Sequence, residues 1–78
     1  MSQMIEHKGI LYRIDPKAAN RLQYSKNKGV SWMLKMVAPS SMGEFVDLMD
    51  DGNEILATTT KGLYYSKNGG SSFMLRSR

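Results

Sequence analysis

A chain of 78 residues without cysteine excludes two independent hydrophobic cores, a disulfide framework and a thiolate metal site. Hydrophobic residues make up 41% and charged residues 23%, which excludes a disordered chain. The net charge of +4 comes from basic residues scattered along the sequence, so it permits contact with nucleic acid without predicting a basic arm.

The N-terminal sequence predicts a cytoplasmic protein. MSQMIEHKG carries charged and polar residues where a signal peptide needs a continuous apolar region. No apolar run approaches the roughly 20 residues that are needed to span a bilayer. We therefore expect a single cytoplasmic domain over residues 1–78, without contact with a membrane.

The first predicted strand covers residues 4–14. Its apolar and aromatic side chains alternate with the period of a β-strand, and the alternating set is Ile10, Tyr12 and Ile14. The pattern leaves open whether residues 4–7 pair as a separate strand. Residues 15–20, DPKAAN, are predicted to form a loop because proline cannot donate a hydrogen bond to a strand ladder.

A hairpin is predicted next, with strands at 21–25 and 31–37 joined by a turn at 26–29. Alternate residues of its second strand are predicted to point into the core: Trp32, Leu34 and Met36. Residues 38–43, APSSMG, have the composition of a loop.

The second half of the chain predicts a complete four-stranded unit. Strands are expected at 44–49, 54–60, 63–66 and 72–76. The dipeptide Asp51-Gly52 predicts the first turn, because these residue types tolerate the positive φ of a tight hairpin. Residues 54–60 align with residues 9–15 of the first half.

Two segments of the chain indicate an internal repeat. LQYSKNKGVSWMLK at 22–35 and LYYSKNGGSSFMLR at 63–76 are identical at nine of fourteen positions, at an offset of 41 residues. Repeat unit one covers about 4–37 and repeat unit two about 44–77. The predicted fold is all-β, with two tandem four-stranded antiparallel β-meanders like the blades of a propeller. A compact two-sheet β-sandwich is the alternative.

The two turns resemble the Asp-box, or BNR repeat, of sialidase-like β-propellers, whose pattern is Ser-x-Asp-x-Gly-x-Ser/Thr-Trp. The matching positions are Ser25, Asn27, Gly29, Ser31 and Trp32 in the first copy and Ser66, Asn68, Gly70, Ser72 and Phe73 in the second. The resemblance implies that these ten residues form structural turns on the rim of each blade, away from any site of chemistry.

The residue types themselves predict closed turns. A side-chain oxygen at Asn27 or Asn68 can accept hydrogen bonds from backbone N–H groups further round the turn. Gly29 and Gly70 supply the positive φ that closes it. Asparagine keeps the acceptor of the usual aspartate but removes the carboxylate that a hard cation prefers, so no metal site is predicted.

Candidate catalytic residues are few, and we expect no enzymatic activity and no cofactor. The segment YRIDP at 12–16 is similar to the Tyr/Phe-Arg-Ile-Pro motif of sialidases but is one residue longer, and two blades fall short of the enzyme's six. His7, the sole histidine, is expected on the surface near a frayed terminus, without partners for a triad. Four acidic residues are attributed to the turn that they flank: Asp47, Asp50, Asp51 and Glu54.

The expected function is a non-catalytic binding or interaction module, in a small accessory protein of bacterial or phage origin. One alternative is a carbohydrate-binding lectin assembled as an oligomeric propeller, with platforms from the aromatic residues Tyr12, Tyr24, Tyr64, Tyr65, Trp32 and Phe73. Another is a weak nucleic-acid binder that uses Lys26, Lys28, Lys61 and Lys67. The sequence identifies no protein or glycan ligand. It favours a homo-oligomer, and a trimer if a six-bladed ring closes.

Overall fold

The computed structural model describes residues 3–77, and every regular element in this range is a β-strand. The strands are β1 (Met4–His7), β2 (Ile10–Ile14), β3 (Arg21–Ser25), β4 (Met33–Val37), β5 (Phe45–Asp50), β6 (Ile55–Thr59), β7 (Gly62–Ser66) and β8 (Met74–Ser77). β1 to β4 form one antiparallel sheet in chain order, and β5 to β8 form a second. The prediction of an all-β fold with two four-stranded meanders is confirmed. No helix in the described range is long and apolar enough to cross a membrane.

The segment 4–14 is two strands, so residues 4–7 do pair as the separate strand that the sequence had left open. Lys8 and Gly9 both have positive φ, of 53° and 84°, and they turn the chain back on itself. β1 then pairs with β2, and Ile5 lies opposite Tyr12. The turn brings His7 opposite Ile10, so the inward-facing positions change from odd numbers in β1 to even numbers in β2, and the four residues of β1 are too few for the hydrophobic pattern to show this change.

The sheet register corrects the alignment of the two halves by one residue. Leu11 lies opposite Ser25 in the first sheet, and Ile55 lies opposite Ser66 in the second. Because Ser25 and Ser66 occupy equivalent positions, Ile55 corresponds to Leu11, and the alignment of 54–60 with 9–15 is wrong. Successive side chains of a strand point to opposite faces, so the one-residue slip matched each residue of 54–60 with a residue on the non-equivalent face of the first sheet.

The two sheets pack face to face around one shared core, and they use non-equivalent faces. The inner face of the first sheet carries the buried residues Tyr12, Ile14 and Leu22. The inner face of the second sheet carries Phe45, Leu48, Ile55, Ala57 and Tyr64. The residue equivalent to Leu22 is Leu63, which lies on the outer face of the second sheet. The two sheets therefore face the same direction: the face of the second sheet that packs on the first is the equivalent of the outer face of the first sheet.

Backbone contacts hold this stacking in place. The Phe45 amide donates a hydrogen bond of 2.8 Å to the Ala19 carbonyl, which joins the second sheet to the loop of the first. Gly70 lies so close to the first sheet that an added Cβ would stand 3.2 Å from Leu22 Cδ2 and 3.6 Å from Tyr12 Cε1. A turn of the second sheet thus covers the inner face of the first.

The predicted core face of the fourth strand is only partly correct. A register shift between Leu22 and Gln23 places Met36 opposite Leu22 but Leu34 opposite Gln23. Met36 therefore packs against the core, whereas Leu34 lies on the outer face with 55% of its surface exposed. Trp32 is half-buried, on the outer side of the sheet. A β-bulge adds one unpaired residue, and simple alternation cannot reveal it.

Candidate functional site

The first repeated turn is a closed network of side-chain hydrogen bonds. Ser25 Oγ donates to Asn27 Oδ1 at 2.8 Å and accepts from the Gly29 amide at 2.9 Å. The same Asn27 oxygen accepts from the Ser31 amide at 3.0 Å, and Asn27 Nδ2 donates to Ser31 Oγ at 2.9 Å. The side chains of Ser25, Asn27 and Ser31 therefore hold the turn itself.

The second turn repeats these four hydrogen bonds. Ser66 Oγ donates to Asn68 Oδ1 at 2.8 Å and accepts from the Gly70 amide at 2.9 Å. Asn68 Oδ1 accepts from the Ser72 amide at 3.1 Å, and its Nδ2 donates to Ser72 Oγ at 2.9 Å. Ser25 and Ser66 are each buried. The sequence repeat is thus also a repeat of local geometry.

The glycine positions explain why these segments turn where they do. Gly29 and Gly70 have backbone φ angles of 92° and 89°, which residues with a Cβ atom rarely adopt. Ser31 and Ser72 are held by the asparagines and belong to the turns. The strands predicted from 31 and from 72 therefore begin two residues later, at β4 and β8.

The aromatic residue that follows each turn serves a different side of the molecule in each copy. The Arg13 guanidinium carbon lies 4.3 Å from the centre of the Trp32 ring, and Arg13 Nε donates to Gln23 Oε1 at 2.7 Å. Phe73 instead packs edge-to-face on Phe45, with the ring centres 5.9 Å apart. Trp32 therefore covers an outer face, whereas Phe73 packs against the core.

Basic side chains cover two of the four tyrosines that the lectin alternative would use as platforms, Tyr24 and Tyr65. Lys35 Nζ lies 5.1 Å from the centre of the Tyr24 ring. The equivalent Tyr65 is contacted by Arg76, at 4.3 Å, and by Lys67, at 5.8 Å. Arg76 is further held by Glu54, whose two oxygens lie 2.9 and 3.0 Å from Nη2. These contacts are intramolecular cation–π pairs, which occupy ring faces that a sugar or base would stack on.

His7 is buried, so its expected place on the surface is wrong. It is 3% exposed, and its Nδ1 lies 2.7 Å from Asp50 Oδ1. The ring also meets Tyr12 edge-on at 6.3 Å. Because β1 pairs with β2, His7 points from the inner face of the first sheet toward the second. The pair therefore connects the two sheets.

The partners of Asp50 favour its charged form. The hydrogen bond from His7 lowers the pKa of the Asp50 carboxyl, and the bond from the Gly52 amide, at 3.0 Å, lowers that pKa further. An acid with a depressed pKa in the folded state stabilises the fold above its ordinary value of about 3.9. This contribution is lost as the pH falls through the folded pKa.

We expect acid to destabilise the wild-type protein more steeply than the Asp50→Asn variant. Because asparagine does not titrate, the variant lacks the Asp50 contribution at every pH, and its melting temperature should fall less between pH 5 and pH 2. Thermal unfolding followed by circular dichroism measures this difference. Asp51→Asn removes a carboxylate from the same turn and is the matched control. Equal slopes for wild type and Asp50→Asn would contradict the stated role of the pair.

The acidic residues around the second-sheet turn have separate environments. Asp47 is buried, opposite Thr58, whereas Asp50 bonds to His7. Asp51 and Glu54 line an open hollow together with Asn53 and Lys67. Within residues 3–77, no three His, Cys, Asp or Glu residues are grouped as a metal ion would require.

No protein-family model matches this chain, and searches of curated proteins and of solved structures also find no match. Function must therefore be inferred from the geometry of the described residues.

Proposed function

We propose that the chain is a non-catalytic interaction module of the cytoplasm, built from two BNR-like repeats. Its Asn-Gly turns shape the sheets, and its outer sheet faces make the contacts. The observation that carries this proposal is an apolar surface on the outer face of the second sheet. This Leu63 face consists of Met49, Leu56, Leu63, Tyr65 and Met74. Thr58 lies opposite Leu63 on the same face, and the side chains of Lys67 and Arg76 lie over the Tyr65 ring.

The strand register places these side chains together. Met49 lies opposite Leu56, Leu56 opposite Tyr65, and Tyr65 opposite Met74, so they share one face across four strands. Met49 and Met74 are each more than half exposed. Contiguous apolar surface of this kind on a small folded protein typically marks an interaction site.

The polar groups support a structural rather than a catalytic role. Both asparagine turns use their own hydrogen-bonding groups internally. Arg13, the residue that resembles a sialidase arginine, bonds to Gln23 and stacks on Trp32. His7 is buried against Asp50. A catalytic acid or base needs to reach a substrate, and these contacts hold the candidates away from one.

We expect a neutral hydrophobic dye to bind the folded protein at the Leu63 face. Met49→Gln combined with Met74→Gln should reduce dye fluorescence several-fold, because both thioethers lie on that face. Val30→Gln is the matched control, since Val30 is 85% exposed and lies in a turn. The measurement is a dye titration at low protein concentration, with the fold checked by circular dichroism.

Three results would contradict the proposal. The first is a native protein that binds no dye. The second is micromolar binding on a glycan array, which would favour the lectin. The third is retention on immobilised DNA that falls steeply with salt, which would favour the nucleic-acid binder.

A further inference from the structure

We infer that the Leu63 face binds the outer face of the first sheet in a second copy of this chain, so that copies associate head to tail. That outer face, named the Arg13 face, consists of Leu11, Arg13, Gln23 and Leu34 with Trp32 beside them. The inference rests on the proposed function in taking the Leu63 face as a contact surface, and it names the partner.

The contact between the two sheets of one chain provides the template. The inner face of the first sheet corresponds residue by residue to the Leu63 face of the second. Three of the equivalent pairs are identical in type: Leu22 and Leu63, Tyr24 and Tyr65, Met33 and Met74. In the first sheet the part of this surface around Leu22 is covered by the second sheet, and Leu22 is 0% exposed, whereas Met33 at the edge stays 50% exposed. In the second sheet the same surface has no sheet stacked on it, and Leu63 is half-buried.

The Arg13 face is the equivalent of the inner face of the second sheet, which packs on the first sheet. Sheet register matches Leu11 with Ile55, Gln23 with Tyr64, and Leu34 with Leu75. Ile55 and Tyr64 are buried against the first sheet. Each chain therefore carries both halves of its own internal junction, one at each end. Contacts between unlike faces are heterologous, and they generate rings or open rows rather than two-fold dimers.

The contact between the two sheets of one chain includes the polar pair His7 and Asp50. The open hollow lined by Asp51, Asn53, Glu54 and Lys67 lies at the corresponding position of the second sheet. Asp51, whose amide bonds to the Glu54 carbonyl at the end of the β5–β6 hairpin, stands where His7 stands in the first sheet. By the same register Glu6 corresponds to Asp50, so Glu6 of the next copy would approach this hollow. Lys67 lines it and offers the positive charge.

The junction between copies is weaker than the junction within a chain. Arg13 and Gln23 replace the buried Ala57 and Tyr64, and Asp51 replaces His7. More polar surface and a second carboxylate lower the gain from burial. Association is therefore reversible and depends on concentration. If the row of copies closes, three copies joined in this way supply the six sheets of a ring.

Sedimentation equilibrium of the full chain, from about 1 μM to about 1 mM, tests the inference over the usual range of reversible complexes. Wild type should grow beyond the monomer mass as concentration rises. Met74→Lys, on the Leu63 face, and Leu34→Lys, on the Arg13 face, should each raise the midpoint concentration at least tenfold. Val30→Lys should associate like wild type. Met74 and Leu34 are each 55% exposed, and circular dichroism confirms that the variants fold.

Mixing the two variants distinguishes unlike faces from like faces. Met74→Lys keeps an intact Arg13 face, and Leu34→Lys keeps an intact Leu63 face. At a concentration where neither variant associates alone, an equimolar mixture should therefore form a one-to-one dimer that grows no further. Met49→Lys replaces Met74→Lys if the latter loses its fold.

Three results would overturn the inference: a wild type that stays monomeric to about 1 mM, Met49→Lys and Met74→Lys variants that both associate normally, or a mixture without dimer. A monomeric wild type that still binds the hydrophobic dye would remove this inference and leave the proposed function in place. A wild type that binds no dye at any concentration and does not associate would remove both.

Discussion

Asn68→Ala is expected to lower the free energy of unfolding by about 2–3 kcal/mol. The substitution removes the acceptor for Ser66 Oγ and for the Ser72 amide, and it also removes the donor to Ser72 Oγ. Ser66 is buried, so its hydroxyl proton loses a partner that water replaces poorly. Urea unfolding followed by tryptophan fluorescence and circular dichroism measures the loss.

Asn68→Asp is the matched control for this effect. Aspartate keeps the oxygen that accepts from Ser66 and Ser72, and its second oxygen can accept from the Ser72 hydroxyl. We therefore expect its stability to stay within about 0.5 kcal/mol of wild type. Asn27→Ala should cost about as much as Asn68→Ala, because the first turn has the same bonds. Equal losses for Asn68→Ala and Asn68→Asp would refute the role of the acceptor.

Leu22→Ala is expected to cost about 2–5 kcal/mol, which is the range for truncating a fully buried leucine. Leu22 lies between the sheets with the Gly70 turn packed on it. The repeat supplies the control, because Leu63 is the same residue type at the equivalent position. Leu63 is only half-buried on the outer face, so Leu63→Ala should cost about 1 kcal/mol.

Urea unfolding at low protein concentration compares these two leucine variants as monomers. The difference between them reports how much the second sheet buries on the first. Losses of equal size would mean that the equivalent leucines have equal surroundings. That result is incompatible with sheets that stack through non-equivalent faces.

The turns were predictable because their interactions are local. Ser25, Asn27, Gly29 and Ser31 lie within seven consecutive residues, and their bonds join residues two or four apart. Backbone conformation and side-chain type therefore suffice to specify such a turn. The same pattern in the second half of the chain supported the prediction of both turns. Strand positions in the hairpins followed in the same way, since tight turns fix where neighbouring strands begin and end.

The burial of His7 could not be predicted from its neighbours in sequence. Its partner Asp50 is 43 residues away, on the other sheet. The sequence pattern also treated residues 4–14 as one alternating segment without a turn. In such a segment His7 lies on the face opposite to Ile10, Tyr12 and Ile14, so it was not predicted to be buried. The placement of Trp32 failed for a related reason, because the bulge in β4 breaks the alternation that predicted its face.

The sequence by itself determined that this protein is all-β, that its second half copies its first, and that each copy is closed by an asparagine and glycine turn. Only the tertiary structure decided which face of each sheet is buried. Alternation gives a strand two faces, and here both faces carry apolar residues. Leu22 and Leu63 occupy equivalent positions, yet Leu22 lies on the inner face of its sheet and Leu63 on the outer face. What selects between the faces is the other sheet, and its position depends on contacts between residues far apart in the chain, such as Phe45 with Ala19.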